Sequence, residues 1–383
     1  MTETLNAGEL IALVARVFVP SEEDVALGVM IDLPDERVPD DAAWRARRQI
    51  AAEWVELLDA KEEMVGYRTR LLLYPNVHTN NGDLPDRCWI HEGGPVPQSA
   101  ADLDLAAARP MGKIYDTFPM LMALTRFSST APLKLAARSH SMRAATMPGF
   151  SADMIPALRI NYTEVNRRVD VLKDLLDRAS GADLVFRHPG GEDRLHLDLR
   201  HRTGHASGGL LPQRGVAGNL PSGEAYIVPY EGEREGDPSR SAGVLPVQFG
   251  AEIVRYEIVN NKAARVLSTG VESEREAALL SQEPAYANLA ELGLGVLAAF
   301  GIRPVGAVLL DEKLGLHIAF GRSDHFGGQV GPGAFSSPDA VVHIDRVYVR
   351  ETQPEVVPAS VDLRFEDGTS VALMREGEFG PVF

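Results

Sequence analysis

The 383-residue sequence predicts an α/β N-terminal domain followed by a mostly β (α+β) C-terminal domain. Three observations carry that expectation. Apolar runs with helical spacing alternate with short buried strands through the first half. From about residue 180 the texture changes to short strands punctuated by turn residues. The length is enough for two domains or one large one, and a hydrophobic content of 45% allows a sizeable core. The division is expected to give domains 1–185 and 186–383.

The elements follow in order. Residues 8–19 (GELIALVARVFV) have apolar spacing suited to a helix. Residues 42–65 read as a longer amphipathic helix, with Trp44, Ile50, Trp54, Leu57 and Leu58 on one side. Arg70–Tyr74 is a short buried strand. Residues 80–98 carry Asn-Asn-Gly-Asp, Gly-Gly and several prolines, which is loop chemistry. A strand is expected within 118–125, a helix near 131–139 capped by Ser128-Ser129-Thr130, a strand over 144–148 and a helix near 161–178. Beyond that, 184–188 and 194–199 flank a Pro-Gly-Gly turn and read as a hairpin. Strands are expected at 225–229, 244–248, 252–259, 305–310, 316–320, 341–349, 359–365 and 370–374. A helix is expected at 272–281 and a short one near 285–291.

Bulk composition excludes several function classes. The formal net charge is −16, so an acidic surface repels phosphate backbones and nucleic acid is not an expected partner. The single cysteine, Cys88, rules out an internal disulfide and fits a reducing compartment. Residues 1–20 lack a basic segment followed by a continuous apolar one, and the longest apolar stretch, 292–302, is too short to span a bilayer. The expectation is a cytoplasmic protein without a membrane partner.

Five side chains in the last 160 residues can ligate metal: Glu224, Glu291, His317, His343 and Asp345. His343 and Asp345 are two apart in a strand-like run and so share a face. A polar strand face with a chance His–Asp hydrogen bond has the same pattern. His317 lies among large apolar residues, a setting that also suits an ordinary core histidine. Glu224 ends a Pro-Ser-Gly turn at the lip of an apolar run, and Glu291 sits in another. A carboxylate in such a place is costly unless a cation or arginine offsets its desolvation. Three acids and two imidazoles are a ligand set for two divalent metals, which make hydroxide from water at neutral pH. A lysine or arginine filling the space between them would contradict that reading.

The blocks NLPSGEAYIVP (219–229), AELGLG (290–295), LLDEKLGLHIAFGRS (309–323) and VVHID (341–345) occur in an order and spacing that resembles the thermophilic metalloprotease family, the aminopeptidase T and aminopeptidase S type. The likeness covers about 220 through 375; the first half is loosely similar. It implies a pair of zinc, cobalt or manganese ions held by Glu224, Glu291, His317, His343 and Asp345, a homodimer, and removal of N-terminal residues from a peptide or small amide substrate. Glu291 is the candidate proton carrier. Seven residues after its histidine the family usually has a tyrosine, thought to stabilise the transition state. This sequence has Asp324 there, followed by His325. A donor is then expected from His325 or from a tyrosine elsewhere, or else the substrate is not an ordinary peptide. The fold also resembles that of a dihydroxypyridine ring-cleaving dioxygenase with one ferrous ion, in which the turn glutamate is absent and a histidine replaces the second one. Having both Glu224 and Glu291 favours two cations over one ferrous ion. A non-catalytic binding relative is the third reading.

Weaker candidates are the His196, Asp198, His201 and His205 patch, the Cys88-x-x-His91 spacing, and the glycine-rich stretch 327–333, which reads as a flexible loop or lid bordering the metal site.

Overall fold

The computed structural model describes residues 3–383, in two compact units. One holds the chain up to Tyr162 together with Gly209–Ser222; the other holds Thr163–Gly208 and Gly223–Phe383. The sequence-based division at 185/186 falls within a strand of the second unit, Ala179–His188.

The first unit is α/β. Its strands are β1 (Ala26–Leu33), β2 (Arg68–Pro75), β3 (Arg87–His91), β4 (Arg109–Pro110), β5 (Met120–Ala123), β6 (Arg143–Thr146) and, returning later, β10 (Val216–Asn219). They form one sheet in the order β10-β6-β5-β1-β2-β3-β4, parallel from β10 to β2. The helices are α1 (Ala7–Phe18), α2 (Ala42–Asp59), α3 (Glu62–Val65), α4 (Met111–Thr117), α5 (Thr130–His140) and α6 (Ile155–Leu158). All eight residues of β1 are buried, as befits a central parallel strand covered on both faces. Gly28 lets flanking leucines close over it: a Cβ there would lie 2.4 Å from Leu72 Cδ1.

Three expectations need correction in this unit. The long helix over 42–65 is broken, because Asp59 turns to β2 and accepts from the Thr69 N–H at 3.2 Å and from Arg70 at 2.6 Å. The expected loop 80–98 contains β3, which pairs with β2 and buries Cys88 in the core; His91 bonds the Gly94 carbonyl instead of sharing a metal with it. Of the expected Ser128-Ser129-Thr130 cap of α5, the Ser129 side chain takes no part; Ser128 Oγ accepts from the Thr130 N–H at 3.4 Å, and Asn81 from another loop accepts from the Ala131 N–H at 3.0 Å.

The second unit is mostly β, with α7 (Tyr162–Arg178) at its boundary, α8 (Val271–Gln282) and α9 (Val308–Asp311). Eight strands form one antiparallel sheet: β7 (Ala179–His188), β8 (Gly191–Asp198), β12 (Ala242–Phe249), β13 (Glu252–Val259), β14 (Lys262–Val266), β18 (Val357–Phe365), β19 (Ser370–Arg375) and β20 (Glu378–Phe379). Five form another, ordered β17-β16-β15-β11-β9: β9 (His205–Ser207), β11 (Glu224–Ile227), β15 (Leu289–Gly295), β16 (Leu316–Gly321) and β17 (His343–Val347). The hairpin expected at 184–199 is β7–β8. The segment expected as a strand at 305–310 folds into α9, because Asp311 accepts from the Val305 and Gly306 N–H groups at 2.9 and 3.0 Å and curls the chain. The short helix expected near 285–291 is a 3-10 turn at Pro284–Ala287, after which β15 carries Glu291. No helix among the described residues is long and apolar enough to cross a membrane.

Candidate metal centre

The five-stranded sheet assembles the site by register. Tyr226, Gly293, His317 and Val347 lie opposite one another across β11, β15, β16 and β17. Glu291, Ala319 and Asp345 form the next row, and Gly321 faces His343. Residues directly opposite, and residues two apart, share a face. One face therefore carries Glu224, Tyr226, Glu291, His317, His343 and Asp345, while Ala225, Ile227, Leu292, Leu294 and Ile318 fill the other. Small residues between the ligands make the room. A Cβ on Gly293 would lie 1.8 Å from His317 Nε2, and one on Gly295 would lie 2.1 Å from the Lys313 backbone.

All five expected ligands meet here, in two overlapping groups: Glu224–Glu291–His317 and Glu291–His343–Asp345. Glu291 joins them. Its Oε1 lies 3.2 Å from His317 Nε2 and its Oε2 lies 3.3 Å from His343 Nε2. Glu224 Oε2 approaches His317 at 3.5 Å, and Asp345 Oδ1 approaches His343 at 3.5 Å. Those last two oxygens are buried without a hydrogen-bond partner, one in each group. A buried carboxylate oxygen left this way is costly.

The imidazoles are held in a defined sense. His317 Nδ1 faces the Gly315 carbonyl at 3.3 Å and His343 Nδ1 faces the Arg322 carbonyl at 2.8 Å. A carbonyl can accept but not donate, so each Nδ1 carries hydrogen and each Nε2 is presented to the carboxylates. A neutral Nε2 lone pair facing a carboxylate oxygen is repulsive. The position calls for a proton or a metal cation. With no metal present the proton answers. Burial works against the His317 imidazolium, but Glu291 and Glu224 outweigh it and lift its pKa to about 9. The same balance, with Asp345 the largest favourable partner, raises that of His343. Glu291 shows the reciprocal effect: burial alone would raise its carboxyl, yet the two imidazoles hold it at about 2.

Two charged neighbours escaped sequence reading. The ammonium of Lys313, 1% exposed, donates to Glu224 Oε1 and to Glu312. Burial, together with nearby Glu224 and Asp345, pushes the Glu312 carboxyl up to about 8 against the pull of Lys313. Lys313 borders the first group and leaves free the Glu224 oxygen that approaches His317. Both residues lie in the 309–323 block, and a lysine within that apolar run was the available signal. With Glu312 protonated at pH 7 and both imidazoles neutral, as ligation requires, the carboxylates of Glu224, Glu291 and Asp345 exceed the Lys313 ammonium by two negative charges. Both the donor set and the charge fit divalent cations held by Glu224, Glu291 and His317 and by Glu291, His343 and Asp345.

Asp324 and His325 occupy a 3-10 turn beyond β16. Asp324 joins neither group; it pairs with Arg322 at 2.6 Å, which outweighs partial burial and keeps its carboxyl low. The His325 ring stands 5.4 Å from the His343 ring. Burial, then the positive His343 and Arg322, push its pKa down to about 4, so it is neutral at pH 7. The histidine patch expected around His196 is dispersed: His196 pairs with Asp183, His201 with Asp237, Asp198 with Arg200, and His205 bonds the Phe326 carbonyl at 3.0 Å. The glycine-rich loop after His325 is tied down by Glu231, which accepts from Ser323 Oγ and the Gln329 N–H.

No protein-family model matches this sequence, and comparison with curated proteins yields no match. Solved structures do match. The chain is similar to 2,5-dihydroxypyridine dioxygenase from Pseudomonas putida KT2440, at 13% identity and TM-score 0.62, over 98% of each chain. It is similar to wild-type AmpT from Thermus thermophilus, at 17% identity and TM-score 0.52, over 97% of this chain and 98% of that one. At these identities the likeness is one of fold. The α/β unit and the β-rich unit are thus an architecture shared with both proteins.

Proposed function

We propose that this protein is a metal-dependent hydrolase that cleaves an amide or N-terminal peptide bond, using two divalent cations of the zinc, cobalt or manganese class. The observation that carries this reading is the Glu291 carboxylate, which offers one oxygen to each of two imidazoles, with an unpartnered carboxylate oxygen completing each group. Bound cations at such a pair supply Lewis acidity and a nucleophilic water of lowered pKa. The chain's own residues do the rest. The Gly315 and Arg322 carbonyls fix both imidazoles with Nε2 inward. Glu291 stays ionised, which suits a bridging ligand better than a proton carrier. His325, neutral and exposed beside His343, is the candidate hydrogen-bond donor in place of the aligned Asp324, which Arg322 keeps ionised.

A second reading has support of its own. The dioxygenase neighbour has the higher TM-score, and His317, His343 and Glu291 also make a two-histidine, one-carboxylate set of the kind that holds ferrous iron. Metal analysis separates the two. Two equivalents of zinc, cobalt or manganese, with turnover of aminoacyl p-nitroanilides, are expected. One equivalent of iron with no amidase activity would replace the hydrolase by an oxygenase, and no bound metal would remove both.

A further inference from the structure

A continuous set of aromatic rings leads away from the metal centre, and the proposed chemistry uses only its inner members, His343 and His325. His205 stacks on Tyr226 with centroids 5.1 Å apart and planes at 22°. Phe326 meets Tyr226 edge-on at 4.8 Å, and His325 lies 3.8 Å from Phe326. Phe326 and His325 both stand edge-on to His343, at 5.5 and 5.4 Å. His343 is at once a member of a ligand group and the inner end of this wall. Tyr226 shares the ligand face of β11 with Glu224. Tyr226 is nearly buried, whereas His205 and Phe326 are half-exposed and His325 is exposed, so the wall has an open side.

We infer that this wall is a subsite for a planar aromatic ring, and that the preferred substrates carry such a ring next to the bond cleaved. Three features support ring recognition over generic apolar contact. The rings meet edge-on around His343, the geometry that aromatic pairs favour, at centroid spacings a further ring can continue. The wall is pre-formed: Phe326 is fixed through its carbonyl by His205 Nε2 at 3.0 Å, and its loop is closed by the Ser323 and Asp324 N–H groups on the Val330 carbonyl. Pre-formed apolar surface with a few placed polar atoms is what small-molecule sites use. Two neighbouring cations are also engaged, Arg322 with Asp324 and Arg202 with Glu233, so neither is free to select an acidic side chain.

This inference rests on the metal-dependent reading, and its test keeps the two apart. Protein loaded with cobalt is titrated calorimetrically with L-phenylalanine hydroxamate and with L-alanine hydroxamate, which share the metal-binding group and differ by the ring. The ring compound is expected to bind about 10-fold tighter or better. Phe326→Ala is expected to cut that preference to about 3-fold or less, with cobalt content and alanine hydroxamate affinity retained. His325→Ala, at an exposed position, should narrow it as well and serves if the first variant does not fold. Equal affinity of the two compounds in the native protein, or a preference that survives both substitutions, would overturn the subsite while leaving the metal reading intact. Failure to hold cobalt, or of both hydroxamates to bind, would remove the metal reading and the subsite with it.

Discussion

The buried ammonium of Lys313 grips one oxygen of Glu224, while the other oxygen of that carboxylate faces His317 at 3.5 Å without a hydrogen-bond partner. One glutamate thus holds a fixed internal cation with one oxygen and turns the other toward His317. Taking one partner from a buried pair leaves an uncompensated charge, at roughly 3–5 kcal/mol. Lys313→Met is therefore expected to lower the melting temperature of the metal-free protein markedly. A divalent cation can replace the lost charge, so added zinc or manganese should raise the melting temperature of the variant more than that of the native protein. Thermal melts with and without metal decide the matter. Equal metal-induced shifts would mean that Lys313 and the bound ion do not share Glu224.

Gly293 is the narrowest point of the site. Alanine in place of glycine within a strand is ordinarily harmless or mildly stabilising. Here the added methyl would fall 1.8 Å from His317 Nε2, and the imidazole must move. Gly293→Ala should keep a native circular dichroism spectrum and lose metal affinity by on the order of 100-fold, at the top of the range for disturbing a ligand's support. Retained metal content at native affinity would show that His317 is not a ligand in that position.

Metal-free protein should have a pH dependence set by the imidazoles. His317 is lifted from an ordinary 6.5 to about 9 by its carboxylate neighbours, which overcome burial. A histidine raised by folding contributes stability that is fully present below its unfolded pKa and is lost as pH climbs through the folded value. The chelator-treated protein is thus expected to lose stability between about pH 6.5 and pH 9. Metal must displace the same protons, so metal affinity should climb across that window. Urea midpoints and metal titrations at pH 6.5, 8 and 9.5 test both halves. A metal-free midpoint that holds steady or rises over the window would contradict the assigned proton positions.

The site was more legible in the sequence than the sheet that holds it. The five candidate ligands announce themselves because an acid or imidazole in an apolar run is expensive, and the cost marks the position. Lys313 escaped because a search for ligands passes over a lysine, although its burial in the same block has the same physical meaning. β1 was missed because ALGVMIDL is buried on both faces and so lacks alternation. Residues up to 291 read as a short helix because LAEL has no strand periodicity of its own. Tertiary structure decides there: Gly293 and Gly295 are needed beneath His317 and Lys313, and strand β15 is what brings them there. The loop expected to be a flexible lid is bound by a glutamate 92 residues away from Ser323, a relationship that no local pattern contains.

That glutamate, Glu231, gives the last test. Its carboxylate accepts from Ser323 Oγ, the Gln329 N–H and Asn288 Nδ2, and so fixes both ends of the loop that carries Asp324, His325 and Phe326. It makes no hydrogen bond or ion pair with the five candidate ligands, so its expected role is one of positioning. Glu231→Ala removes all three acceptor contacts at once, and charge-assisted hydrogen bonds of this kind are worth about 1.5–3 kcal/mol each at most. Loosening should appear in the loop and leave the metal groups intact. The expected result is faster hydrogen exchange at the Gln329 and Val330 amides, a KM raised about 10-fold or more for substrates bearing an aromatic ring, a smaller change in kcat, and unchanged metal content. Glu231→Asp keeps the charge with a shorter reach and should recover part of the loss. If kcat and metal content fall together while exchange in the loop stays slow, Glu231 acts on the metal centre itself and the loop is held by other contacts.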